Sequence, residues 1–184
     1  DALGRHHGVA SAVTWVDGKL GGAGDFNDPD GIILVEDSGK FRVAFINSFS
    51  ISFWYSPRPL DNVQRGLLRY GRGEVNSVLH LVVRPNGTVS LGFLSNDLDT
   101  GVTVKQGMQL LTFVCDRSEM SQRVYLDGEL IGERYTTTWL NPPESLLELG
   151  NFQGRDDRSA NGLIDDVRIY DHALSKHEVK DLAK

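Results

Sequence analysis

The chain has 184 residues, with 19 Lys and Arg against 25 Asp and Glu for a net charge of −6, and a single cysteine. This length implies one domain, and the acidic balance, with no basic run, argues against a nucleic-acid or anionic membrane partner. Cys115 alone excludes an intrachain disulfide framework and a thiolate zinc cluster. Within the apolar run 110–115 it reads as a small buried hydrophobe rather than a nucleophile. No apolar run approaches the ~18–20 residues of a membrane helix, and the first residues lack the pattern of a signal peptide, so no membrane insertion is expected.

Twenty glycines, above the usual ~7 per cent, imply many turns and few long helices. In chain order, short apolar or alternating segments predict strands at 32–35, 41–46, 49–55, 66–70, 77–83, 89–93, 109–115, 122–126, 129–131, 146–149 and 162–170. Asn86-Gly87 and Asp127-Gly128 sit between alternating runs, as type I′ hairpin turns do. Near the end, Ser175-Lys176-His177-Glu178 has the form of a capping box ahead of Val179 and Leu182, which predicts one short helix. No internal repeat or low-complexity linker divides the chain. The pattern is that of an all-β protein, an antiparallel two-sheet β-sandwich with a short C-terminal helix.

The last third is specific. Leu149-Gly150-Asn151, a polar loop, and then Asn161-Gly162-Leu163-Ile164-Asp165-Asp166-Val167-Arg168-Ile169-Tyr170-Asp171-His172-Ala173-Leu174-Ser175 resemble the closing signature of the laminin-G-like jelly-roll family, in the concanavalin A-like lectin and glucanase superfamily. Val124-Tyr125-Leu126-Asp127-Gly128-Glu129-Leu130-Ile131 resembles a hairpin of that family, and Phe49-Ser50-Ile51-Ser52-Phe53-Trp54-Tyr55 one of its strands. The segment 15–26 resembles the family's first approach to the sandwich, so residues 1–184 are expected to form one such domain. Asp1-Ala2-Leu3-Gly4-Arg5-His6-His7-Gly8 resembles the loop that follows the family's opening strand, and that strand is expected to be missing.

The resemblance implies a structural calcium ion, with Asp165 as a ligand and Asp25 as a second candidate; the alternative for Asp165 is to cap a loop or to pair with Arg168. Calcium takes about 6–8 oxygen donors, which acidic Gly-rich turns can supply. Asp165 and Asp166, being adjacent, are expected on opposite faces of their strand.

A sugar site needs exposed rings, since sugars pack C–H surfaces on aromatic faces. The candidates are Trp54, Trp139, Trp15 and Tyr70, with core packing as the alternative. Trp54 shares a face with Ser50 and Ser52, opposite Phe49, Ile51, Phe53 and Tyr55.

No spaced carboxylate triplet of the superfamily's glucanases occurs, and no zinc-spaced His pair or nucleophile elbow. The chain therefore reads as a non-catalytic, calcium-stabilised module of a larger secreted protein. Its expected partner is a carbohydrate or glycan, the alternative being an extracellular protein in an adhesion role; an extracellular or cell-surface location follows.

Overall fold

The computed structural model describes residues 4, 6–36, 39–152 and 158–184. In chain order the elements are β1 (Gly8–Ser11), β2 (Thr14–Asp17), β3 (Gly22–Asp25), β4 (Ile32–Val35), α1 (Lys40–Phe45), β5 (Phe49–Pro57), β6 (Arg65–Gly71) and β7 (Val78–Val83). There follow β8 (Thr88–Gly92), β9 (Asp97–Thr103), β10 (Gln109–Asp116), β11 (Ser121–Leu126), β12 (Glu129–Tyr135), β13 (Leu147–Leu149), β14 (Gly162–Tyr170) and α2 (Lys176–Leu182). They form two antiparallel seven-stranded sheets, in the orders β1-β4-β13-β6-β7-β8-β9 and β12-β11-β10-β5-β14-β3-β2. Half of the neighbouring strand pairs, among them β13-β6 and β5-β14, join segments distant in sequence, as expected of a jelly roll.

The period-two alternation of the strands builds the core. Phe49, Ile51, Phe53 and Tyr55 of β5 point inward with Leu111, Phe113 and Cys115 of β10, against Leu79, Leu81 and Val83 of β7 and Val89 and Leu91 of β8. Cys115 is fully buried, and burial pushes its thiol far above the ordinary range, so it is inert.

Three local outcomes differ from expectation. Segment 41–46 is not a strand but helix α1: Phe41 and Phe45 lie one turn apart and both turn inward onto Tyr70, while Val43 stays exposed. Alternation and a single helical turn are indistinguishable over so few residues. β1, β2, β3 and β9 are not among the expected strands, and β1 and β2 are exposed throughout. The two hairpins also differ from one another. Asp127 and Gly128 both have positive φ, as a type I′ turn demands, whereas at 85–87 only Gly87 does. There Pro85 fixes a negative φ at the first loop position, giving a three-residue loop closed by Arg84 N–H to Thr88 O at 2.8 Å.

At the C-terminus the capping box forms on both sides, Ser175 accepting from the Glu178 N–H and Glu178 from the Ser175 N–H. Helix α2 then lays Val179 against Val114 and Tyr125, on the outer face of the second sheet.

Candidate functional site

The residues singled out for metal binding lie on that same outer face. Asp165 is paired with Trp54, which in turn faces Leu110, so the three side chains share one row. Asp25 is opposite Leu163, two residues along the same face. A bulge then interrupts β14, with Asp166 at φ +50°. The extra residue absorbs the second of two consecutive aspartates and restores Val167 and Ile169 to the inner side. Asp166, rather than Asp165, pairs with Arg168 at 2.8 Å.

Each of the two candidate ligands has its own partner. The Leu20 N–H donates to Asp165 Oδ2 at 2.8 Å, and Asp165 is 5 % exposed. The turn before β3 presses so closely on this carboxylate that a Cβ on Gly18 would overlap Oδ2. Asp25 takes both guanidinium nitrogens of Arg58, each at 2.8 Å, and the Arg58 hydrogen bond holds its carboxyl below the usual range. Among the described residues no three His, Cys, Asp or Glu side chains converge as a metal site. The side-chain donors therefore do not fit a calcium ion shared by Asp25 and Asp165: both oxygens of Asp25 are spent on an arginine, and one oxygen of Asp165 is tied to a loop amide.

Of the four rings expected to meet a ligand, three are turned away from solvent. Trp54 is 7 % exposed, with Lys19 Nζ 4.8 Å above its ring. Tyr70 is wholly inside the core, on the inward side of β6. Trp139 is half-buried against Phe93, with Arg117 over its face and its Nε1 buried without a hydrogen bond. Only Trp15, on the edge strand β2, is open, at 65 % exposure. The alternation that separates Trp54 from the core is visible in sequence, but not the turn and helix that cover the face it reaches.

A row of paired charges lies on the outer face of the other sheet. Register places Leu34, Glu148, Arg69, His80, Gly92 and Asp97 in one row across β4, β13, β6, β7, β8 and β9. Arg69 meets Glu148 at 3.0 Å, and His80 Nε2 lies 3.3 Å from Asp97. Arg84 binds Asp97 at 2.8 Å and Asp99 at 2.9 Å, and also reaches Gln64 and Ser90. Gly92 is needed beneath this cluster, since a Cβ there would overlap His80 Nε2 and Asp97 Oδ1. Burial alone would raise the Asp97 pKa, but the hydrogen bonds and charges of His80 and Arg84 outweigh it and bring the carboxyl down to about 2.

At the β13 side this row opens into a groove of ≈ 570 Å³ lined by Glu36, Arg69, Arg72, Glu144, Ser145, Leu146 and Glu148. Glu148 and Arg69 form its fixed floor. Glu36, Arg72 and Glu144 are exposed, with no ion pair or side-chain hydrogen bond among the described residues. These residues were not singled out from sequence. The one sequence signal on this face is a lone His within the apolar run 78–83, which alternation turns outward and which marks the ion-pair row rather than the groove lining.

A family profile described as the concanavalin A-like lectin/glucanases superfamily matches residues 30–180. None of the curated protein sequences matches the chain. Among solved structures, domain 4 of AbnA, an extracellular GH43 arabinanase from Geobacillus stearothermophilus seen with arabinotriose, superposes with TM-score 0.76 at 22 % identity, over 100 % of this chain and 92 % of that one. The binding domain of Paraclostridial Mosquitocidal Protein 1 gives TM-score 0.76 at 18 % identity, over 95 % of this chain and 46 % of the other. The binding domain of Botulinum Neurotoxin DC, in complex with SialylT, gives 0.73 at 14 % identity, over 97 % and 46 %. The chain thus spans less than half of the two toxin chains, and at these identities the likeness is one of fold.

Proposed function

Because the chain belongs to the concanavalin A-like lectin/glucanases superfamily, we propose that it is a non-catalytic carbohydrate-binding module whose ligand lies in the groove on the outer face of the first sheet. Fold alone would not carry this, since one fold hosts many functions. What carries it is the groove: three exposed charged side chains, Glu36, Arg72 and Glu144, have no side-chain partner among the described residues and surround the fixed Arg69–Glu148 pair. Carboxylates accept, and guanidinium groups donate in a fork, which suits neighbouring sugar hydroxyls. The similar structures include domains seen with arabinotriose and with a sialylated ligand, which supports a glycan as the ligand class. Recognition here is through polar contacts, because no aromatic ring among the described residues lines the groove. An extracellular setting, and neighbouring domains on the same polypeptide, belong to the same proposal.

The test is a glycan array with the purified chain, followed by calorimetry on any hit. Binding that Arg72→Ala weakens at least ten-fold, about 1.4 kcal/mol, and that Trp15→Ala leaves alone, supports the groove. A blank array removes the carbohydrate reading. A second reading, contact with an extracellular protein, is favoured by the exposed apolar side chains Val9, Trp15, Val16 and Leu20 on and beside the edge strands. It predicts that Trp15→Ala, and not Arg72→Ala, abolishes capture of the partner.

A further inference from the structure

The family resemblance implies a cation where the first strands meet the last, and the residues there provide one of their own. Arg58 directly follows β5, and its N–H donates to Asn161 O at 2.9 Å, which fixes its backbone beside the start of β14. Ser56, Leu163 and Asp25 are register partners across β5, β14 and β3. The Arg58 guanidinium reaches over β14 to the Asp25 carboxylate, so a single side chain links the two strands that flank β14. Both Asp25 oxygens are engaged, and the carboxylate is only 15 % exposed. Asp165 Oδ2 separately accepts from the Leu20 amide, under a turn that closes down on it through Gly18.

We infer that Arg58 takes the place of a metal ion on this face, tying β3 to β5 across β14, so that the fold holds without calcium at Asp25 and Asp165. The bidentate fork neutralises the buried carboxylate and sets its direction, the two tasks a bound cation would perform. A calcium ion would need six or more oxygens at about 2.3–2.6 Å, and the Asp25 oxygens point to nitrogen donors instead.

The experiment is thermal unfolding of the chain followed by circular dichroism, in EDTA and in millimolar calcium, for wild type, Arg58→Met, Arg58→Lys and Asp25→Asn. A resident calcium ion at 100 times its Kd would raise Tm by about 5–10 °C. The expected result is a wild-type Tm that moves by less than about 1 °C between the two conditions. Arg58→Met should lower Tm by about 3–6 °C and Arg58→Lys by less, because a lysine keeps the charge and loses the fork. The inference is overturned if calcium raises the wild-type Tm by several degrees and Asp25→Asn removes that rise. It is equally overturned if Arg58→Met and Asp25→Asn both melt like wild type.

Discussion

The two sheets use the same alternation and bury their outward side chains by different means. On the second sheet, Ser50, Ser52, Trp54 and Val114 point outward yet are buried, because helix α2 and the turn carrying Lys19 and Leu20 fold over them. On the first sheet, the outward row from Glu148 to Asp97 is charged and internally paired, with Glu148 and His80 themselves buried, and it opens only at the β13 end, as a groove. Ser50 illustrates the covered face: its hydroxyl donates to His172 O and accepts from the Leu174 N–H, each at 2.9 Å, which anchors the chain leading into α2. A tryptophan on a sandwich's outer face is therefore not evidence of a ligand platform until the elements above it are placed. A polar residue marked only by interrupting an apolar run, as His80 does, can belong to a buried and internally paired cluster.

The contrast can be broken experimentally, beginning with its largest effect. Trp54→Ala should cost about 3–5 kcal/mol in urea unfolding, as for a buried aromatic, and leave glycan affinity per folded molecule unchanged; lost affinity with unchanged stability would return Trp54 to the ligand. Gly92→Ala should cost about 1–3 kcal/mol by displacing His80 and Asp97. A stability equal to wild type would mean that the cluster is looser than its geometry. Asp97 sharpens the contrast through pH. Its folded pKa lies below the ordinary 3.8, at about 2, so the stability it contributes is complete above pH 4 and is lost as pH falls towards 2. Unfolding midpoints between pH 2 and 5 should show an acid limb of about 1–2 kcal/mol that Asp97→Asn removes. The smallest effect on stability, within ~0.5 kcal/mol, belongs to Arg72→Ala; a large loss of stability there would show that Arg72 is structural and not free to meet a ligand.

Much of the fold was legible from residues. Phe49, Ile51, Phe53 and Tyr55 fall inward as alternation requires, and the Ser175–Glu178 capping box forms. Segment 41–46 is ambiguous in sequence because Phe41, Val43 and Phe45 satisfy period two, while Phe41 and Phe45 also satisfy one helical turn. The adjacent aspartates 165 and 166 do not simply alternate, since the bulge inserts one residue without a partner on β5. The candidate site was far less legible. Tyr70 and Trp54 are aromatic residues of a β-sandwich whatever covers them, and Arg69, Glu148 and Asp97 come from strands separated in sequence.

By itself the sequence determined the fold class, the inward faces of the main strands, the Asp127-Gly128 hairpin, the final helix and an inert Cys115. All of these depend on neighbouring residues or on a periodicity that a short stretch contains. Tertiary structure alone decided that Arg58 would meet Asp25 across β14, that a loop amide would bind Asp165, and that the first sheet would carry the open groove. Those outcomes require strands far apart in the chain to lie side by side, and strand order and register are properties of the closed sandwich rather than of any one segment.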